Sequence, residues 1–304
     1  MALPTSCPLC SAPPTRQFAV TAHVYGDDGG GRAVFRCGEC DVRYLHPGQS
    51  AEEEAKFYAA EFEAFMAERS ASGAGWEGPE RHVAANEPQR QRRMGHLADL
   101  IKPRSSILEV GCSSGFMLYP LAAEGHACVA IEPSGAFSDY VRSRGVPCFR
   151  GIDELRSKDS GGRFDLILHY YVMEHVADPV GFLKSQLALL KPGGHVVFEV
   201  PNANDALTTV YALPAYERFI WVVSHRWYFT ERSLARAMSM AGGASEVRLD
   251  QRYDLSNHLV WARDGKPGGM GRFTVVLGQE IEDQYRQALI RARRCDTLIG
   301  ILTS

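Results

Sequence analysis

The 304-residue chain is expected to fold as an α/β protein: a mainly parallel sheet with helices on both faces, preceded by a small β unit and a helical cap. Three observations lead there. From Ser105 onward, short apolar runs alternate with helical patterns. One such run, Ile107 to Val110, enters the turn Gly111-Cys112-Ser113-Ser114-Gly115 and then a helical stretch, the layout of a nucleotide-binding βαβ unit. Near the N-terminus stand two Cys-x2-Cys pairs, Cys7/Cys10 and Cys37/Cys40, flanking β-like stretches.

Residues 1–48 form the first unit. Two β-like stretches, 17–25 and 32–36, are joined by a turn from Gly26 to Gly31. Two cysteine knuckles on a small hairpin describe a tetrahedral Zn2+ site with Cys7, Cys10, Cys37 and Cys40 as ligands. Four thiolates leave no open position, so the metal is expected to be structural, stapling a segment too short for its own core. The alternative is a pair of redox dithiols, although a redox Cys-x-x-Cys normally stands alone at a helix N-terminus.

Residues 49–104 are a helical linker or cap. Ser50 is placed to cap a first helix, with Glu52, Glu53 and Glu54 in its first turn and Phe57, Tyr58, Phe62, Phe65 and Met66 near helical spacing. A Gly-rich break at 72–79 precedes a second helix over 89–101. The aromatic stripe reads as packing, with an active-site lid as the minority reading.

Residues 105–304 form the main domain. Strands are expected at 105–110, 127–132, 146–150, 164–169, 194–200, 245–252 and 296–302. Helices are expected at 114–124, 135–144, 178–191, 230–241 and 276–294. Thr230 supplies an N-cap and Gly242-Gly243 a stop. An insertion over 253–290 contains a Gly/Pro loop.

Bulk properties remove several function classes. The chain is 45% hydrophobic and 23% charged with net charge −3, which gives no basic footprint for nucleic acid. No apolar run approaches the roughly 20 residues that span a bilayer, and no signal peptide is evident. The other cysteines, Cys112, Cys128, Cys148 and Cys295, stand singly in apolar contexts, so a cytoplasmic protein with reduced thiols is expected.

The glycine turn is not a dinucleotide fingerprint. Ser113 occupies the place of the second glycine, the one that admits a pyrophosphate, so the pattern favours a nucleoside without phosphates. Glu132, at the end of the next apolar run, is placed to accept both hydroxyls of a ribose.

Glu109-x-Gly111-x-x-x-Gly115, Glu132, Phe164-Asp165-Leu166-Ile167, Glu174-His175-Val176 and Leu190-Lys191-Pro192-Gly193-Gly194 resemble, in order, the motifs of class I S-adenosylmethionine (SAM)-dependent methyltransferases. The resemblance implies a Rossmann-like seven-stranded sheet with its last strand antiparallel, and SAM at the C-terminal strand ends. On that basis the cofactor-binding residues are Glu109, Gly111, Cys112, Ser113, Gly115, Glu132, Pro133, Ile152, Asp153 and His169. Ile152 and Asp153 fall near adenine, and His169 ends the fourth strand at the height of SAM and substrate.

Candidate bases are His169, His175 and His225. His175 belongs to the Glu-His-Val after strand four; quinone-type O-methyltransferases hold a divalent metal with related acids and this His. They carry a further acid where this chain has Tyr171, so the pattern for such a metal is incomplete. His225, in Ser224-His225-Arg226-Trp227-Tyr228-Phe229, resembles the Glu-His-x-x-Tyr-Phe motif of sugar-nucleotide C-methyltransferases, which also carry an N-terminal four-cysteine zinc domain. Ser224 stands for their Glu and Val222 for their Tyr. Tyr253, Asn257, His258 and Trp261 suit a hydroxylated ring, with packing as the alternative.

The expected function is methyl transfer to a small hydroxylated acceptor, with O-methylation of a sugar or glycosylated metabolite favoured over C- or N-methylation. The non-enzymatic alternative is a zinc-docked adaptor with a vestigial methyltransferase fold. The expected partner is a small-molecule acceptor, with no nucleic acid and no membrane, and a homodimer is compatible with the sequence.

Overall fold

The computed structural model describes residues 2–27, 29–50, 52, 53, 57, 68, 69, 78–158 and 163–304. Its N-terminal unit is an antiparallel ribbon of β1 (Gln17–Thr21), β2 (Ala33–Cys37) and β3 (Arg43–His46). The third strand carries no sequence signal of its own, because Tyr44 and Leu45 are adjacent and four residues are too few to show alternation.

Ser50 and Glu53 bond reciprocally, amide to carboxylate at 2.7 Å and amide to hydroxyl at 3.1 Å, so Ser50 takes the capping role expected of it within a capping box. Glu54, Tyr58, Phe62, Phe65, Met66 and residues 72–77 lie outside the described residues. The cap continues with α1 (Pro79–Ala85) and α2 (Glu87–Leu97), the latter beginning two residues before the expected start. Its Arg92 and Arg93 both reach Glu199 at 2.8 and 3.0 Å, which fastens the cap to the main sheet.

The main domain follows as β4 (Ser106–Val110), α3 (Leu118–Ala123), β5 (Ala127–Ile131), α4 (Gly135–Ser143), β6 (Cys148–Phe149), α5 (Ile152–Lys158), β7 (Phe164–Tyr170), α6 (Pro179–Leu187) and β8 (Leu190–Pro201). Next come α7 (Ala206–Thr209), α8 (Pro214–Ile220), β9 (Trp227–Tyr228), α9 (Glu231–Ala241), β10 (Ala244–Asp250), α10 (Leu255–Asp264), α11 (Thr274–Leu277), α12 (Gln279–Arg291) and β11 (Thr297–Thr303).

Seven strands form one sheet in the order β10-β11-β8-β7-β4-β5-β6. Only β11 runs against its neighbours, so the sequence expectation of one reversed last strand is met. The chain winds one way through β4, β5 and β6 and the other way through β7 and β8. The cleft therefore opens between the C-terminal ends of β4 and β7.

Thr230 caps α9, which ends at Gly242 with φ 98°, both as expected, and Ser233 completes a capping box. The expected helix over 178–191 is shorter: α6 stops at Leu187 because Leu190 already pairs with Phe164, so β8 starts before the Lys191–Gly194 turn. The helix α10 was not signalled, since the insertion lacks a clean apolar period; Asp254 caps it, accepting from Asn257 N at 2.8 Å.

The N-terminal ribbon is not a satellite. β3 pairs with β9, making a four-stranded sheet whose last strand comes from the main domain. One continuous core runs from Cys7, Phe35 and Tyr44 through Trp227 and Phe229 to Leu108, Ile167, Phe198 and Leu298. Ile107, Leu121, Val141, Leu168 and Ile299 fill the opposite face of the large sheet.

Candidate active site

The glycine turn sits at the C-terminal end of β4, held by the Ile131 carbonyl, which accepts from Gly111 N at 2.8 Å and Cys112 N at 3.2 Å. Gly111 has φ +70°, and a Cβ there would lie 2.7 Å from Val172 Cγ2, so only glycine lets the loop after β7 lie against the loop after β4. Ser113, in the place of the missing glycine, also takes a left-handed conformation at φ +44°. Its amide donates to Glu132 Oε2 at 2.7 Å, and the Ser134 amide donates to Oε1 at 2.9 Å. The Glu132 carboxylate is thus fixed beside the turn.

Glu109 lies beneath the turn, 2% exposed, and its Oε2 is buried without a hydrogen-bond partner. Burial lifts its carboxyl to about 8, with Arg93 acting the other way and Glu132 adding to the rise. Cys112 is buried in the turn, and Pro133 is exposed just beyond Glu132. Ile152, half-buried, and Asp153, exposed, open α5 three and four residues after Phe149, whose carbonyl accepts from Glu132 N at 2.8 Å. His82 of α1 bonds Ser114 Oγ through Nδ1 at 2.8 Å and packs on Phe116 and Phe137, which seats the cap over the turn.

These residues fit a nucleoside sulfonium that carries an amino-acid tail. The orphaned Glu109 oxygen suits a cationic amino group, Glu132 suits vicinal hydroxyls, and the bare Gly111 face suits close backbone approach.

Past Val172 the loop after β7 meets the loop before β9. Ligand atoms of Glu174, His175 and His225 all lie within 4.8 Å of one another. His175 Nδ1–H donates to the Ser224 carbonyl at 2.8 Å, which leaves Nε2 as the acceptor nitrogen. The two imidazoles meet edge to face at 4.8 Å. Burial lowers His175 to about 4, and burial together with His175 and Arg69 drives His225 well below its ordinary value, so both rings are neutral at pH 7. Both Glu174 carboxyl oxygens are buried without partners, and burial raises the group to about 8. The composition of the cluster suits proton exchange or a divalent cation. Tyr171, at the position of the further acid, bonds Thr297 Oγ1 through its phenol at 2.9 Å and contributes no charge.

His169 does not reach the cleft. Its ring is fully buried, stacked on Phe198 at 4.6 Å and edge-on to Phe182 at 5.1 Å, with neither nitrogen bonded. Strand alternation is the reason: Tyr170 joins the cluster on the cap face of the sheet, and His169 points into the layer under α6. The expectation of a cofactor or catalytic role for His169 is therefore corrected to a core position. Asn257, His258 and Trp261 are likewise drawn into packing. Trp261 meets Tyr216 and Phe219, His258 Nδ1 bonds Tyr285 Oη at 2.6 Å, and Asn257 Nδ2 donates to the Gly268 carbonyl. Tyr253 alone of the four stays at the strand ends, beside Arg252, a residue the sequence did not single out.

The four cysteines converge. Cys7 and Cys40 sulfurs are 3.7 Å apart, Cys10 and Cys37 3.6 Å, and all four lie within 4.8 Å. A tetrahedron of Zn–S bonds of about 2.3 Å has edges of roughly 3.8 Å, so the cluster has the size of a four-thiolate zinc site. None of the eight cysteines is disulfide-bonded.

No helix among the described residues is long and apolar enough to cross a membrane. The family described as "Methyltransferase domain" matches residues 82–243, more than half of the chain. A ubiquinone biosynthesis O-methyltransferase of Rhizobium etli (strain CIAT 652) is 32% identical over 101 residues, 32% of this chain and 41% of that protein. One from Ruegeria pomeroyi is 30% identical over 173 residues, 51% of this chain and 65% of that protein. The chain thus spans less than two thirds of the length of either relative. A SAM dependent methyltransferase of Archaeoglobus fulgidus overlays 71% of this chain and 94% of its own at 14% identity and TM-score 0.48. With the motif series folded into a seven-stranded sheet whose cleft faces the glycine turn, the chain belongs to the methyltransferase-domain family.

Proposed function

We propose that this protein is a SAM-dependent methyltransferase that methylates an oxygen of a small hydroxylated acceptor, a sugar or glycosylated metabolite being the favoured class. The His175–His225 pair supports this reading. An alcohol keeps its proton at neutral pH and must lose it as the new bond forms, so a neutral base belongs beside it. SAM supplies a methyl group already made electrophilic by its sulfonium. The chain's part is placement and proton removal. Glu109 and the Gly111–Gly115 turn hold the amino-acid end, and Glu132 holds the ribose. His225, kept neutral by burial and by His175, takes the hydroxyl proton. Glu174, a neutral carboxyl at pH 7 because burial lifts it to about 8, lies close enough to accept a hydrogen bond from the imidazolium that results.

The relatives named as ubiquinone biosynthesis O-methyltransferases support oxygen as the methylated atom and leave the sugar class to be tested. The Cys7/Cys10/Cys37/Cys40 cluster is proposed to hold structural Zn2+. Calorimetry should show SAM binding that Glu132→Ala weakens, and NMR of product made with carbon-13-labelled methyl should show an O-methyl resonance. A C-methyl or N-methyl resonance overturns the acceptor assignment; absence of SAM binding by the wild type overturns the enzyme reading and leaves the adaptor.

A further inference from the structure

Arg252 follows β10 by two residues and carries a charge that no ion pair among the described residues holds. Its guanidinium carbon lies 5.3 Å from the ring centroid of Tyr171 and 5.1 Å from that of Tyr253. Its Nε is buried with no hydrogen-bond partner, and it makes no ion pair among the described residues. The carboxylates nearby are committed elsewhere. Glu199 holds Arg92 and Arg93, and Asp250 holds Arg92 and His96. Asp296 accepts from Gln251 Nε2 at 2.8 Å, from the amides of Arg252 and Tyr253 at 2.9 Å, and from Thr297 Oγ1 at 2.7 Å. Four donors occupy that carboxylate, and the guanidinium is not among them. Glu199 and Asp296 act on the half-buried guanidinium through space without bonding it, and two phenol rings offset only part of the cost of its partial burial.

Sheet register places this charge at the mouth of the cleft. Asp250 pairs with Thr297 and Thr297 with Pro201, so β10 ends, β11 begins and β8 ends along one edge. The end of β7 lies on that edge too, since Tyr170 pairs with Glu199. Tyr171, one face of the Arg252 site, precedes Val172, which lies against Gly111 of the cofactor turn. On the other flank, Tyr253 is within electrostatic range of Arg69, and Arg69 of His225. Arg252 therefore stands on the rim shared by the cofactor turn and the proposed base.

We infer that Arg252 is the anion-binding residue of the acceptor site, so that the acceptor carries a carboxylate or a phosphate ester beside the hydroxyl to be methylated. This rests on the methyltransferase reading. A guanidinium held between two rings presents a planar fork, which matches either anion through paired N–H donors. The inference adds an acidic group to the hydroxylated acceptor and assigns Arg252 a specificity role.

The test uses the full chain, with and without S-adenosylhomocysteine. Inorganic phosphate is titrated by phosphorus NMR line broadening, and benzoate by saturation-transfer NMR. Wild type should bind at least one probe, and Arg252→Met should weaken that binding by at least about tenfold while S-adenosylhomocysteine affinity by calorimetry stays unchanged. Arg252→Lys, which keeps the charge and loses the fork, should fall between them and covers the case in which the methionine variant does not fold. Preference for phosphate identifies a phosphate ester, and preference for benzoate a carboxylate. The inference is overturned if wild type binds neither probe, if both variants bind as wild type does, or if Arg252→Met loses S-adenosylhomocysteine, which would make the anion the cofactor's own carboxylate. If wild type fails to bind S-adenosylhomocysteine yet binds an anion through Arg252, the methyltransferase reading fails and the anion site stands.

Discussion

The amide of Leu45 in β3 donates to the carbonyl of Arg226, the residue after His225, at 3.0 Å. Tyr25 grips the other side of the same loop: its amide donates to the Trp221 carbonyl at 2.8 Å, and its carbonyl accepts from Val223 N at 3.0 Å. The proposed base is thus suspended from the four-cysteine ribbon at both ends.

Metal removal should consequently loosen the base before it loosens the cofactor turn. About one zinc per chain is expected by elemental analysis. Chelation should shift tryptophan emission to longer wavelength, because Trp221 and Trp227, 3% and 5% exposed, flank His225. Turnover should fall by a larger factor than S-adenosylhomocysteine affinity does. Unchanged emission on metal loss would refute the coupling.

Replacing His225 by Gln should lower kcat by about 10²–10⁴-fold and leave cofactor affinity nearly intact. Burial holds His175 at about 4 and His225 well below its ordinary value, so both stay neutral as pH falls through the usual histidine range. The acid limb of kcat/KM should then appear below pH 6, displaced from the about 6.5 of a free imidazole. A limb at 6.5 would mean that the base is exposed or is another group.

Glu109→Gln should separate stability from function. Its folded-state value of about 8 lies above the unfolded 4.5, so the native chain binds a proton that the unfolded chain has released. The stability this group contributes is present at low pH and is lost as pH rises through 4.5 to 8. The glutamine variant escapes that loss. In urea unfolding its advantage should grow with pH to roughly 2–4 kcal/mol near pH 8, while SAM binding weakens. Equal stability of the two proteins at every pH would contradict a buried, unpartnered carboxyl.

His169→Leu tests the corrected placement. Burial holds this ring at about 3 in the folded chain, so stability is lost as pH falls below the unfolded 6.5. Leucine removes that dependence and packs against Phe182 and Phe198. The variant should match wild-type turnover and exceed wild-type stability by about 2 kcal/mol at pH 5, less at pH 7. A large drop in kcat would restore a catalytic role for His169.

Gly111→Ala should cost roughly 1–3 kcal/mol and weaken SAM, since the new methyl lies 2.7 Å from Val172 Cγ2 at a left-handed φ. Adding Val172→Ala removes the clash and leaves the backbone strain, so the double variant should recover part of the loss. Additive losses would show that the two loops do not touch.

Much of this protein was legible in one dimension. Alternation of apolar runs with helices marked the strands, because a parallel sheet covered on both faces needs continuous hydrophobic segments with crossovers between them. Gly111, Glu132 and the four cysteines were legible because their chemistry depends on short local spacings. Other features were not. Leu45 and Arg226, or Tyr171 and Arg252, meet through pairings across 181 and 81 residues, a distance at which local pattern carries no signal. His169 shows the limit most plainly. Its position at a strand end was readable, but which face of the strand it takes depends on register against β8, where Phe198 waits on one side only. The sequence by itself determined the fold class, the glycine turn and the thiolate cluster, each written in residues close together in the chain. Tertiary structure alone decided which histidines share a cleft, which carboxylates stay uncommitted and that Arg252 makes no ion pair among the described residues, because burial and charge balance arise only where distant segments pack.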